Sequence, residues 1–253
     1  MSAEKRLANA RARIDDGNYE EALLDLIWFH HHALSESLAW AGVRLSYALS
    51  DWIRLGELYP PAMAALENTR DEYATGLLAG DLEGSVFRDV ASINDHLGTT
   101  QQTCELYRKL IEVQPELARS CAAYALPAIV QAKDYYLAAQ LIPVPEVVVR
   151  RHCEKLNRNV QQIKFCSYAA APRRWVYTKI FVDDMQLLLS VLNGTGRYAE
   201  AARLKALAIS LIESPSLRRE VQAGFVKMPR APMLVKMARA PGRRRRKYRS
   251  LAR

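Results

Sequence analysis

Three consecutive histidines, His30-His31-His32, are the most metal-like residues in the chain. Helical ligands for one ion need i, i+3 or i, i+4 spacing, because adjacent residues point about 100° apart. At most one of the three can face a shared site, and His96 and His152 are far away in sequence. The expectation is helix-surface and packing roles, with no metal and no cofactor. Asp51, Asp81, Asp89, Asp95, Asp183 and Asp184 supply carboxylates, but acid–base catalysis needs a defined pair in a perturbed environment. Gly76, Gly80 and Gly84 recur regularly without the Lys-Ser/Thr that completes a phosphate-binding loop, and read as turn punctuation. Nucleophile-elbow, H-E-x-x-H and kinase signatures are missing from the sequence, so the chain is not expected to be an enzyme.

The sharpest chemical feature is a cationic tail. Arg243, Arg244, Arg245, Arg246, Lys247 and Arg249 are dense enough to hold phosphates, anionic lipid heads or an acidic protein. The formal charge of +9 comes from 36 Lys+Arg and 27 Asp+Glu over 253 residues. Thirteen of the basic residues and one acid, Glu220, lie in 218–253, which is therefore +12. The other 23 basic and 26 acidic residues leave 1–217 at −3. Partner arguments from charge thus concern the tail alone. Pro229, Pro232, Pro241 and Gly242 oppose a continuous helix there, and the expectation is disorder from about 228. A solvated tail without a partner, and an out-of-frame end of a GC-rich gene, are the other readings of the same composition.

Behind these features stands a helical body. Half the residues are hydrophobic, enough for a core. The N-terminus lacks an apolar signal-peptide run, and no apolar stretch reaches the ~18 residues of a spanning helix. Cys104, Cys121, Cys153 and Cys166 have no zinc spacing and read as reduced, buried, small hydrophobes. A cytoplasmic location follows as the expectation. Arg outnumbers Lys 26 to 10, a hint of a GC-rich bacterial genome.

Apolar periodicity near 3.6 predicts helices at 3–16, 19–34, 38–56, 60–79, 86–97, a segment from Thr99/Thr100 to Pro115, 117–132, 135–142, 146–168, 174–192, 198–212 and 217–225. The third is expected to bury Trp40, Val43, Tyr47 and Trp52 and to close at Gly56. Pro127 should kink or break its helix, and Ala171-Pro172 should separate two helices. Pro143 and Pro145 mark the best internal boundary. The organisation expected is 1–142, 143–227 and the tail 228–253. No strand is predicted.

Gly17-Asn18-Tyr19-Glu20-Glu21-Ala22 is echoed by Gly196-Arg197-Tyr198-Ala199-Glu200-Ala201. Gly ends one helix, Tyr opens the next, and Ala lets the two touch. Partial copies occur at Gly98 with Pro115, and at Tyr135 and Ala138 with Lys133 in the glycine position. The chain here resembles the tetratricopeptide (TPR) repeat family, whose helical hairpins recur every ~34 residues. The turns fall at 17, 56, 98, 133 and 196, and the 98-to-133 interval comes nearest that period. The resemblance covers about 3–142 and 174–213. It implies an all-α, right-handed α-solenoid of stacked hairpins, with residues 143–227 continuing the stack. Gly17, Tyr19, Ala22, Gly98, Pro115, Tyr135, Ala138, Gly196, Tyr198 and Ala201 would be its turn and packing residues. The Lys/Asn clamp by which some TPR modules bind acidic C-termini falls here on Leu7 and Arg11, so that activity is not implied.

The expected function is a protein–protein scaffold or adaptor that binds its partner in the solenoid groove. An alternative is a nucleic-acid-associated protein using the Arg-rich tail, and a second is an enzyme on an α-solenoid. The partner expected is an unidentified protein, with nucleic acid or an anionic surface as a further candidate for the tail.

Overall fold

Among the described residues four glycines lie in the left-handed region, each closing a helix: Gly17 (φ 80°), Gly80 (φ 81°), Gly98 (φ 71°) and Gly196 (φ 78°). Prolines open several of the next helices at their first position, where the missing N–H costs no intrahelical bond. This punctuation sets the architecture of the computed structural model, which describes residues 1–163 and 170–227. Among the described residues the chain is all-α, with no strand. No helix among them is long and apolar enough to cross a membrane.

The chain divides into two units, Met1–Leu141 and Ile142–Arg253. The first holds α1 (Ala3–Asp16), α2 (Tyr19–Glu36), α3 (Trp40–Arg44), α4 (Tyr47–Leu58), α5 (Pro60–Ala79), α6 (Gly84–Leu97), α7 (Thr100–Val113), α8 (Pro115–Gln131) and α9 (Tyr135–Gln140). Within it α1 packs on α2, α4 on α5, α6 on α7 and α8 on α9. Each pair also meets the next, through α2 on α4, α5 on α6, and α7 on α8; the leading helices α4, α6 and α8 touch in succession. The second unit holds α10 (Pro145–Gln161), α11 (Ala170–Gly194), α12 (Tyr198–Ser210) and α13 (Pro215–Val226), with α11 packed against the other three.

The residues at the hairpin crossings are small. Ala22, Ala138 and Ala201 are all buried. Where a fourth Ala would stand, Thr103 is buried instead, and its hydroxyl accepts a 3.0 Å hydrogen bond from Asn94. The turn after α1 is closed by Asn18 N–H donating to the Arg13 carbonyl at 2.8 Å, the C-cap geometry a left-handed glycine permits. Tyr19 is half-buried, with its ring 6.1 Å from that of Tyr59. Tyr135 is also half-buried, whereas Tyr198 is 67% exposed and lends no ring to the core. Pro115 is an exposed first residue of α8.

Several expectations are corrected. The single helix over 38–56 is two, because the backbone turns at Leu45-Ser46 and the Ser46 hydroxyl takes the Gly42 carbonyl at 2.7 Å. Tyr47 therefore starts a new helix and is exposed rather than buried. Gly56 does not end α4. It is buried at the α4–α5 crossing, where a Cβ would stand 3.2 Å from the Met63 Cα. Of the regularly spaced glycines only Gly80 is a turn; Gly76 lies inside α5, and Gly84 opens α6 so close to α8 that a Cβ would meet the Ser120 Oγ at 2.1 Å. α8 runs through Pro127 unbroken. Pro172 sits in the first turn of α11, which begins at Ala170, and α10 ends at Gln161 rather than reaching 168. Cys104, Cys121 and Cys153 are buried free thiols, and burial raises all three, Cys153 to about 11. Cys166 and the tail 228–253 lie outside the described residues.

Two predictions follow from the turns and crossings. Ala22→Leu and Ala201→Leu should each destabilise the protein by ~1–3 kcal/mol through overpacking, measured by chemical denaturation. Lys133 is the one non-glycine at positive φ (61°) among the described residues. Lys133→Gly should stabilise by ~1 kcal/mol, because the left-handed conformation strains a side-chain-bearing residue.

Candidate functional site

Arg44 ends α3 with its guanidinium enclosed, its side chain only 7% accessible. An arginine there must find a counter-charge or it would not stay buried. It finds Asp89 on α6, to which Nη2 donates two bonds of 2.7 Å. Nη1 reaches back to α2, donating to the His30 carbonyl at 3.2 Å and lying 3.2 Å from His30 Nε2. Its Nε has no partner. The His30 ring stacks at 6.0 Å on Tyr73 of α5 and meets Trp52 of α4 edge-on at 5.9 Å. The cluster thus joins α2, α3, α4, α5 and α6.

Its electrostatics follow from enclosure. Burial, then the neighbouring Arg44 charge, lowers His30 from 6.5 to about 3, so the ring is neutral at pH 7. Burial pushes the Asp89 carboxyl up, while the Arg44 hydrogen bonds pull it back. His31 is lowered by burial and then by His32 and Arg44, against the opposing pull of Glu72 and Asp89, and Tyr73, whose hydroxyl lies 3.2 Å from His31 Nδ1, is raised by burial. His32 packs its ring 5.2 Å from Trp28. His30 and His31 thus share Tyr73, while His32 turns to Trp28. Among the described residues no group of three His, Cys, Asp or Glu side chains converges as a metal site.

A second feature of the first unit is open. α6 and α8 leave a cleft of about 300 Å³ floored by the start of α7. α6 contributes Arg88, Ala91, Ser92 and Asp95; α8 contributes Tyr124, Pro127, Ala128 and Gln131. Both sets follow i, i+3, i+4, i+7 spacing, so each is one helical stripe. Small residues keep the walls low, and Thr100 and Thr103 lie beneath. Pro127 has no N–H to give the carbonyl of Ala123, which also lines the cleft, so a backbone acceptor is released there. Arg88 and Asp95 have no ion-pair partner among the described residues. Seven residues apart on one stripe, they set opposite charges ~10 Å from each other along the cleft.

Sequence reasoning singled out neither Arg44 nor the α8 stripe. The signal for Arg44 was a lone cation inside Trp40-Ala41-Gly42-Val43-Arg44-Leu45. The signal for the stripe was the spacing of Tyr124, Pro127, Ala128 and Gln131, masked by reading Pro127 as a breaker. The proposed polyanion-binding residues Arg243–Lys247 and Arg249 lie outside the described residues. Compared with known proteins, the chain matches no family model, no curated protein and no solved structure.

Acid titration tests the enclosed histidine. Its folded-state value lies below its unfolded one, so the stability it contributes is complete above pH 6.5 and is lost as the pH falls towards 3. Asp89, raised on folding, contributes the opposite slope in the carboxylate range, so the comparison must be between variants. Between pH 6.5 and 4 the stability of His30→Gln should fall less steeply than that of the parent, by up to about 1.4 kcal/mol per pH unit. Equal slopes in urea denaturation would show His30 to be protonated in the folded protein.

Proposed function

We propose that the first unit is a TPR-like, right-handed α-solenoid and that the protein is an adaptor holding an extended segment of a partner protein in the α6–α8 cleft. The observation that carries this reading is a pair of charges, Arg88 and Asp95, without ion-pair partners among the described residues, along one low-walled cleft. Three residues of extended chain span ~10 Å, the separation of those charges. A segment with an acidic and a basic side chain about three residues apart would meet both. Tyr124 offers a flat apolar face with a polar tip, and the carbonyl released by Pro127 offers a backbone acceptor. The helix-pair succession in this unit supports the TPR-like reading, because leading helices that touch in turn form a continuous groove. The reading is of a cytoplasmic binding protein rather than an enzyme; the enclosed His30, Arg44 and Asp89 join helices instead of facing a substrate.

Ala123→Arg fills the cleft from an exposed position, and Asp95→Lys reverses one end. Each should cut capture of the co-purifying protein at least tenfold with unchanged thermal stability, and capture should survive nuclease. Capture unaffected by both variants would remove the cleft from the function.

The charge distribution favours one further activity, nucleic-acid association through the tail. Residues 228–253 carry 10 Lys+Arg and no acid, so their removal takes the chain from +9 to −1. Truncation after Lys227 should abolish any DNA or RNA binding, and the full chain should lose it steeply between about 50 and 200 mM salt. Equal binding by the truncated chain would place the basic site in the helical body.

A further inference from the structure

The second unit carries a pocket that the adaptor reading does not use. α10 contributes His152, Lys155, Leu156 and Asn159, and α11 contributes Tyr177, Ile180, Phe181 and Asp184. Both sets have i, i+3, i+4, i+7 spacing, and each is a single stripe. His152 Nδ1 lies 3.1 Å from Asp184 Oδ2, so the start of one stripe meets the end of the other and the two run antiparallel. Between them is a cavity of about 170 Å³. Leu156 and Phe181 are 2% and 3% exposed and form its apolar floor, and Ile180, at 46%, forms an open apolar edge.

The polar groups divide unequally. The Asp184 carboxylate is already met by His152. Lys155 has no acidic partner within 4 Å, and Asn159 and Tyr177 have no side-chain hydrogen bond, among the described residues. The carboxylate of this lining is thus occupied by His152, while its cation stands without an acidic partner beside an apolar floor, with an amide and a phenol available to donate to the same ligand. A cavity of about 150 Å³ accommodates one benzene ring. We propose that this pocket binds a small anionic amphiphile, a single-ring or short-chain carboxylate. Its apolar body lies on Leu156, Phe181 and Ile180, and its carboxylate is held by Lys155, Asn159 and Tyr177.

The probes are phenylacetate, the neutral benzyl alcohol and the cationic benzylamine, titrated calorimetrically into the full chain at about 0.15 M salt, where long-range attraction to the basic tail is screened. Phenylacetate should bind saturably, one per chain, with the neutral and cationic probes at least tenfold weaker. Lys155→Gln and Ile180→Asp, both at accessible positions, should each weaken phenylacetate at least tenfold while leaving thermal unfolding unchanged. Tyr177→Phe, which keeps the ring and removes the hydroxyl, should weaken it several-fold. Failure of phenylacetate to saturate below about 10 mM would overturn the proposal. So would retention of binding in Lys155→Gln, which would assign it to the tail, or a preference for benzylamine, which would make Asp184 the recognising group.

Discussion

A guanidinium taken out of water is tolerable only when the groups around it replace its hydration, and Arg44 is where this constraint falls. Asp89 supplies a carboxylate with two bonds of 2.7 Å, and the His30 carbonyl supplies a third acceptor. Those partners come from α6 and α2, while Arg44 itself ends the short α3. The position of α6 relative to the helices before it thus rests on a charged contact as well as on apolar packing. The contact is directional where apolar packing is not. Nη2 must lie within reach of both Asp89 oxygens while Nη1 reaches the His30 carbonyl, which restricts the angle at which α6 leaves the core formed by Phe29, Leu49, Trp52 and Leu66. Because α6 provides one wall of the open cleft, the buried pair that holds Asp89, the neighbour of Arg88 on that helix, also helps set where the wall stands.

The rest of the first unit is arranged to let helices come close. Gly56 and Gly84 are buried at crossings where no side chain fits, and Ala22 and Ala138 do the same for their own pairs. Asp25 is buried on α2 and held by Arg6 and Arg13 from α1, with the Arg6 guanidinium also 5.1 Å from the Trp28 ring. At Asp25 and at Arg44 alike a charge is enclosed and other helices supply its partners. The arrangement leaves Arg88 and Asp95, which lack such partners among the described residues, facing the cleft.

Helix type and most turns were legible in the sequence because glycine at a C-cap and proline at a first turn act locally. The Gly17 and Gly196 phrases predicted two turns at those residues, and both form with left-handed glycines. What failed were inferences that assigned one meaning to a residue that has two. Gly56 and Gly84 read as punctuation but serve close approach, which depends on a partner helix that no local pattern reveals. Pro127 read as a break, yet α8 passes through it, and proline there takes away the helical donor of the Ala123 carbonyl. Tyr198 matched the phrase while remaining exposed, since the motif fixes the turn but not what covers the ring. Arg44 and Asp89 are 45 residues apart, and nothing short of the fold brings them together.

The proposed adaptor role puts a partner segment between α6 and α8. A photo-crosslinking amino acid at Ala123, on the cleft wall, compared with one at the exposed Glu67 on α5, tests it most directly. Irradiation in cells should give discrete protein adducts from position 123 and none from 67. Adducts from 67 with none from 123 would contradict the account, because the partner would then dock on a face that the cleft does not reach.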